Sequence, residues 1–143
     1  MSETLLDKSV HNYNVAVMIY NSMEGDESYL NYVGYHLQQS LELAMKYILE
    51  ENGVSYPKTH DIDQLIRIAR ENDVDLHLSD YIDDHSEMFT LWEFRTRYVL
   101  NYQLELGKVE KAMDAVNDYL DRVQEAELTQ ENNALEEWDL DRR

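Results

Sequence analysis

The sequence predicts an all-α chain, an antiparallel bundle of four to five helices, on three observations. Punctuation is sparse: 143 residues hold one proline (Pro57) and four glycines (Gly25, Gly34, Gly53, Gly107), so the segments between turns are too long for a series of short strands. Those segments carry apolar residues at three- and four-residue steps. Hydrophobic residues make up 43% of the chain, enough at this length to fill one core, which excludes collagen-like and low-complexity classes. The periodicity divides the chain into a helical domain over residues 1–127 and an acidic, flexible tail over 128–143.

The first helix is expected over residues 3–23, with Ser2 as its N-cap and Leu6, Val10, Tyr13, Val17 and Tyr20 on one face; it stops near Gly25. The second, over 27–51, has the strongest stripe: Val33, Leu37, Leu41, Ala44 and Ile48, flanked by Leu30, Ser40 and Met45, with Asn52-Gly53 as its stop. Thr59 caps a third helix to Arg70 whose inner face is Ile62, Leu65, Ile66 and Ala69. Residues 73–78 read as a linker. Ser79 then caps a fourth helix running to Arg97 with Ile82, Phe89 and Trp92 inside. A fifth, over 102–127, presents Val109, Ala112, Met113, Val116, Leu120 and Val123 to the core.

Charge and composition narrow the function. The absence of cysteine removes disulfides, thiolate zinc sites, thiol nucleophiles and iron–sulfur clusters. Twelve Lys and Arg against thirty Asp and Glu give a formal charge of −18, which repels nucleic acid and anionic membrane over most of the surface. Nucleic-acid contact therefore needs a local basic patch. No segment is long and apolar enough to span a membrane, and MSETLLDKSV lacks the order of a signal peptide, so the expected location is the cytoplasm.

One stretch is more specific. It runs Tyr35-His36-Leu37-Gln38-Gln39-Ser40-Leu41-Glu42-Leu43-Ala44-Met45-Lys46, then Gly53, then Lys58-Thr59-His60-Asp61-Ile62, and Thr96-Arg97-Tyr98 follows later. The paired Gln, the Glu four residues before a Lys, the Thr-His-Asp before the next helix and the Arg-Tyr near the end of the fourth helix together resemble the HEPN family, over about residues 5–125.

The resemblance implies a helical bundle that pairs as a homodimer around a shared cleft, in proteins that touch nucleotides or RNA. Some members are ribonuclease toxins paired with a minimal nucleotidyltransferase; others are noncatalytic. The ribonuclease branch uses an Arg with a His four to six residues beyond it. Here Tyr102 stands where that His would follow Arg97, and all five histidines (His11, His36, His60, His77, His85) precede Arg95. Metal-independent RNA cleavage needs a base for the 2′-hydroxyl proton, a task for imidazole and not for a phenol with a reference pKa of about 10.

The expected function is a noncatalytic nucleotide- or RNA-binding module, a homodimer or the companion of a nucleotidyltransferase. Arg95, Arg97, Tyr98, Asn101 and Tyr102 would line its ligand site, with Arg97 gripping phosphate through its fork. The alternative is a metal-independent ribonuclease toxin of a toxin–antitoxin pair, with Arg97 and Tyr102 as the variant site. A third is a structural partner of a nucleotidyltransferase, modified at Tyr98 or Tyr102. No cofactor and no metal is implied.

The remaining features divide between functional and structural readings. Arg95, Arg97, Lys58, Arg67 and Arg70 make a basic patch if they converge, and otherwise form surface ion pairs of small worth. His60 and Asp61 are ligand groups or a helix start. Glu42 and Lys46 read as a favourable i,i+4 pair, worth about 0.2–0.5 kcal/mol if exposed. Tyr29, Tyr32 and Tyr35, with His36 beside them, favour core packing over base stacking or a dimer seam. Asp80, Asp83, Asp84 and Glu87 read as a solvated face, and His77 and His85 have no zinc spacing.

Overall fold

The computed structural model describes residues 2–141, with side chains through Trp138. Among the described residues six α-helices follow one another: α1 (Leu5–Ser22), α2 (Leu30–Glu51), α3 (Ile62–Glu71), α4 (Asp80–Asp84), α5 (Ser86–Tyr98) and α6 (Leu106–Asp141), with a 3₁₀ turn Glu27–Tyr29 leading into α2. The described residues contain no strand, as the sparse Gly and Pro require.

Helix α2 is the centre of the bundle. Leu30, Val33, Leu37, Leu41, Ala44, Met45, Ile48 and Leu49 are all buried on it, and α1, α5, α6 and α3 pack around them. The short turn over residues 23–29 folds α1 back antiparallel to α2. There Ser9 donates a hydrogen bond to the Ser40 carbonyl, the small side chains letting the two helices close. The side of α2 facing α5 contains Gly34, where a Cβ would overlap Leu104 and come within 3.2 Å of the Trp92 ring. A side chain at residue 34 would push α5 and the 99–105 loop away.

The last helix begins at Leu106 and not at residue 102, and four other expected boundaries move for physical reasons. Thr4, not Ser2, caps α1 because it forms a capping box with Asp7, each residue bonding the other's backbone N–H. Asp61, not Thr59, caps α3 by accepting from the Gln64 N–H at 3.1 Å, while the Thr59 hydroxyl accepts from the Asp61 N–H. The expected fourth helix divides at His85, whose backbone leaves the helical region. Ser86 donates there to the Asp63 carboxylate and to the Asp83 carbonyl, local bonding that competes with the helix ladder. The last helix does not stop at 127. With no Gly or Pro beyond Gly107 and with Ala, Leu, Gln and Glu favouring the helix, α6 runs on to Asp141, so the 128–141 part of the expected flexible tail is helical.

The stripe expected on α1 through Leu6, Val10, Tyr13, Val17 and Tyr20 is only partly buried, Ala16 being the apolar residue that α1 buries, and Met113 of α6 is partly buried too; the other apolar stripes face inward as expected. Ile62, Leu65, Ile66 and Ala69 of α3, Ile82 of α4, Phe89 and Trp92 of α5, and Val109, Ala112, Val116, Leu120 and Val123 of α6 are buried. The 73–78 linker is anchored by the fully buried Tyr119, whose hydroxyl donates to the Leu76 carbonyl at 2.8 Å. Burial pushes that phenol well above its ordinary range. Tyr119→Phe leaves the Leu76 carbonyl without this donor and is expected to cost about 1–3 kcal/mol, measured as a lower urea midpoint at unchanged slope.

His36 lies at the α1–α2 seam, bonded to Asn12. It is half-buried, its Nδ1 lies 2.9 Å from Asn12 Oδ1, and burial holds its pKa below the usual value. A depressed imidazole value means that the unfolded chain takes the proton more readily. This contribution to stability is full above about pH 6.5 and is lost as pH falls through the folded-state value. Urea midpoints measured from pH 7.5 to pH 5 are expected to decline less in His36→Gln than in the parent chain.

Candidate functional site

Three of the buried polar side chains of this bundle, Gln38, Glu42 and Glu93, gather at one place. On α2 the helical register puts Tyr35, Gln38, Glu42 and Lys46 on the side that meets α5 and the 52–61 loop. Gln38 is fully buried and Glu42 is 2% exposed, so the Glu42–Lys46 pair is not the exposed surface pair that its spacing suggests.

Every oxygen of Glu42 is engaged. Oε1 accepts from Gln38 Nε2 at 3.0 Å and faces His60 Nδ1 at 3.0 Å; Oε2 accepts from Lys46 Nζ at 3.1 Å. Gln38 also reaches the His60 carbonyl and accepts from Gln39. Lys46 lies 5.6 Å from the Tyr56 ring centroid, a cation–π contact. Burial first, then Glu50 and Glu42, raises the Tyr56 phenol to about 12. Among the described residues no buried side-chain nitrogen or oxygen lacks a partner, the condition under which a buried charge is tolerable.

The network continues across His60. Its Nε2 stands 3.9 Å from Glu93 Oε1 on α5. That same carboxylate oxygen accepts from Arg97 Nη2, and the Glu93 carbonyl accepts from Arg97 Nε at 3.0 Å. The guanidinium lies against two rings, 5.1 Å from the Tyr35 centroid and 4.7 Å from that of Tyr98. Glu93 is buried, whereas the Arg97 side chain is 36% exposed and the His60 side chain 55% exposed. A string of polar side chains thus runs from Lys46 through Glu42, His60 and Glu93 to Arg97, ending at solvent.

The expected site residues are only partly brought together. Arg97 and Tyr98 are in contact, and Tyr98 is exposed and tilted against Phe94 with ring centroids 5.1 Å apart. Arg95, two residues from Arg97, points to another side of α5 and is exposed. Asn101 is exposed in the following turn with a left-handed backbone, φ 68°. Tyr102 is half-buried, and its carbonyl accepts from Asn31. Arg70 makes an exposed ion pair with Asp83, its Nη2 donating to both carboxylate oxygens at 2.9 Å and 3.0 Å.

The tyrosine run divides as well. Tyr29 and Tyr32 are exposed instead of packed in the core, and only Tyr35 joins the network. Asp80, Asp83, Asp84 and Glu87 lie exposed, and among the described residues no His, Asp and Glu group is placed to hold a metal. His85 stacks on Tyr81 at 3.9 Å, and His77 sits near Asp75. Glu93 is the member that the sequence reading missed. It stands four residues before Arg97, the same spacing as Glu42 to Lys46, and that was its available signal.

No curated protein and no solved structure shows significant similarity to the chain. A family model described as HEPN domain matches residues 3–126. That span takes in α1 to α5, the part of α6 packed on the bundle, and the whole network from Lys46 to Arg97. On this match across most of its length, together with its all-helical architecture, the chain belongs to the HEPN-domain family.

Proposed function

We propose that this HEPN-domain chain binds nucleotides or RNA without cutting them, as a homodimer or with a nucleotidyltransferase partner. The observation that carries the reading is the state of Arg97. Its guanidinium is fixed by buried Glu93 and flanked by Tyr35 and Tyr98, yet it reaches solvent. Two of its five N–H donors are used on Glu93, which leaves the others for a phosphate oxygen. The exposed Tyr98 and Phe94 rings beside it offer a stacking surface for a base. Val99 and Leu100 add exposed apolar area at the same end, the kind of surface that a second copy would cover.

The ribonuclease alternative is favoured by one observation. His60 faces the Glu93 oxygen that Arg97 also engages, so an imidazole stands near the arginine although none follows it in sequence. Labelled RNA incubated with the protein in chelator separates the two readings. Retention without cleavage, weakened by Arg97→Ala, is the expected result. Cleavage abolished by both Arg97→Ala and His60→Ala would replace the binding module with the ribonuclease.

A further inference from the structure

The Glu93 carboxylate has two competing cation partners, and they differ in kind. Arg97 keeps its charge throughout the working pH range. His60 is an imidazole, a group that can be neutral or carry a positive charge. Both address the same oxygen, Glu93 Oε1. His60 is held in place by its other nitrogen, Nδ1, which is 3.0 Å and 3.3 Å from the two oxygens of buried Glu42. With Nδ1–H donating to Glu42, a neutral ring turns the Nε2 lone pair toward an anionic oxygen. A protonated ring presents N–H to both carboxylates.

From this geometry we infer that His60 and Glu93 are positioning residues that set how strongly Arg97 attracts an anion, so that the site takes phosphate more tightly when His60 is protonated. The inference rests on the nucleotide- or RNA-binding reading above and adds its regulation.

With His60 neutral, Arg97 alone answers the Glu93 charge, and the pair is close to electrically neutral toward solvent. With His60 protonated, the imidazolium N–H faces Glu93 Oε1 across 3.9 Å, a charge–charge contact longer than a hydrogen bond. The cluster then carries one more positive charge at the surface, and Arg97 is freer to turn its fork to a ligand. The groups facing His60 fix the sign. They are Glu42 and, beyond it, Lys46 from α2, and Glu93 and Arg97 from α5; Lys58 and Asp61 are its neighbours in the loop, where the Asp61 carboxylate caps α3. The two carboxylates already balance Lys46 and Arg97, so a proton on His60 is a net gain.

The test is equilibrium binding of a fluorescent unpaired oligoribonucleotide, whose phosphodiesters do not titrate in this range, at low salt from pH 8 to pH 5.5. The intact chain is compared with His60→Gln, Glu93→Gln and Arg97→Ala, and each is checked for an unchanged helical spectrum and melting midpoint. One added unit charge near the phosphate is expected to tighten binding about three- to tenfold from pH 8 to pH 5.5. His60→Gln should flatten that slope. Glu93→Gln, which removes the competing anion, should bind more tightly than the parent at pH 8 and show a reduced slope. If Arg97→Ala weakens binding but His60→Gln keeps the full slope, or if Glu93→Gln weakens binding at pH 8, this inference is overturned while the binding reading stands. If the intact chain does not bind, or Arg97→Ala binds equally well, the reading itself falls and takes the inference with it.

Discussion

Replacing Glu42 by alanine is expected to destabilise the fold by about 3–5 kcal/mol, because it removes one member of a buried pair and leaves the other charged. Lys46 would lose its partner at a position where its side chain is only 13% exposed, and the same change strips Gln38 and His60 of an acceptor. Removing both charges should cost much less. In Glu42→Leu with Lys46→Met, apolar side chains fill the space and no ion is stranded, so the double variant should be more stable than Glu42→Ala. Urea denaturation of the parent, the single and the double variants gives the comparison. A cost below about 1 kcal/mol for Glu42→Ala would show that the pair behaves as a solvent-screened surface contact.

Trp92→Ala is expected to be equally damaging, about 3–5 kcal/mol, for a different reason. Trp92 is 1% exposed, meets Phe89 edge-on with centroids 5.3 Å apart, and lies over Gly34 together with Leu104. Its loss opens a cavity where α2, α5 and the 99–105 loop come together. Since this contact sets the height of α5 on α2, it also sets where Glu93 and Arg97 stand. The melting midpoint should fall by roughly 10–20 °C. Trp92→Phe, which keeps an aromatic ring in the space, should recover a large part of the loss, and equal midpoints for Trp92→Ala and the parent would contradict this packing.

These two positions mark what the sequence makes legible. Trp92 sits on a readable stripe, and its burial follows from spacing alone. Glu42 does not, because a Glu four residues before a Lys describes a solvated pair as well as a buried one. Its burial is decided by the 52–61 loop and α5 folding over that side of α2, contacts that span 18 residues to His60. The division of the fourth helix at His85 is hidden for the same reason, since it turns on Ser86 reaching Asp63, 23 residues away. The end of α6 was readable but overshadowed: residues 128–141 lack Gly and Pro, yet their charge density reads as a tail.

The site shows the same limit. The Lys-Thr-His-Asp segment and the Arg-Tyr pair carry the family resemblance in the sequence, and of the residues they single out His60 and Arg97 meet at Glu93. What they do there depends on Glu93, which joins the loop to the arginine and belongs to neither segment. The grouping of Arg95 with Arg97 fails on helix geometry, because two residues apart on α5 are about 200° apart around its axis. Arg70 makes an exposed ion pair with Asp83 that its place in the sequence does not reveal.

The account depends most on Arg97 being a ligand group and not merely half of an ion pair. The direct measurement is the affinity of a labelled unpaired oligoribonucleotide at low salt for the intact chain, Arg97→Ala and Arg97→Lys. The account predicts binding by the intact chain, a loss of about tenfold or more in Arg97→Ala, and only partial recovery in Arg97→Lys, which restores the charge but not the planar fork. Equal affinity in all three would contradict it.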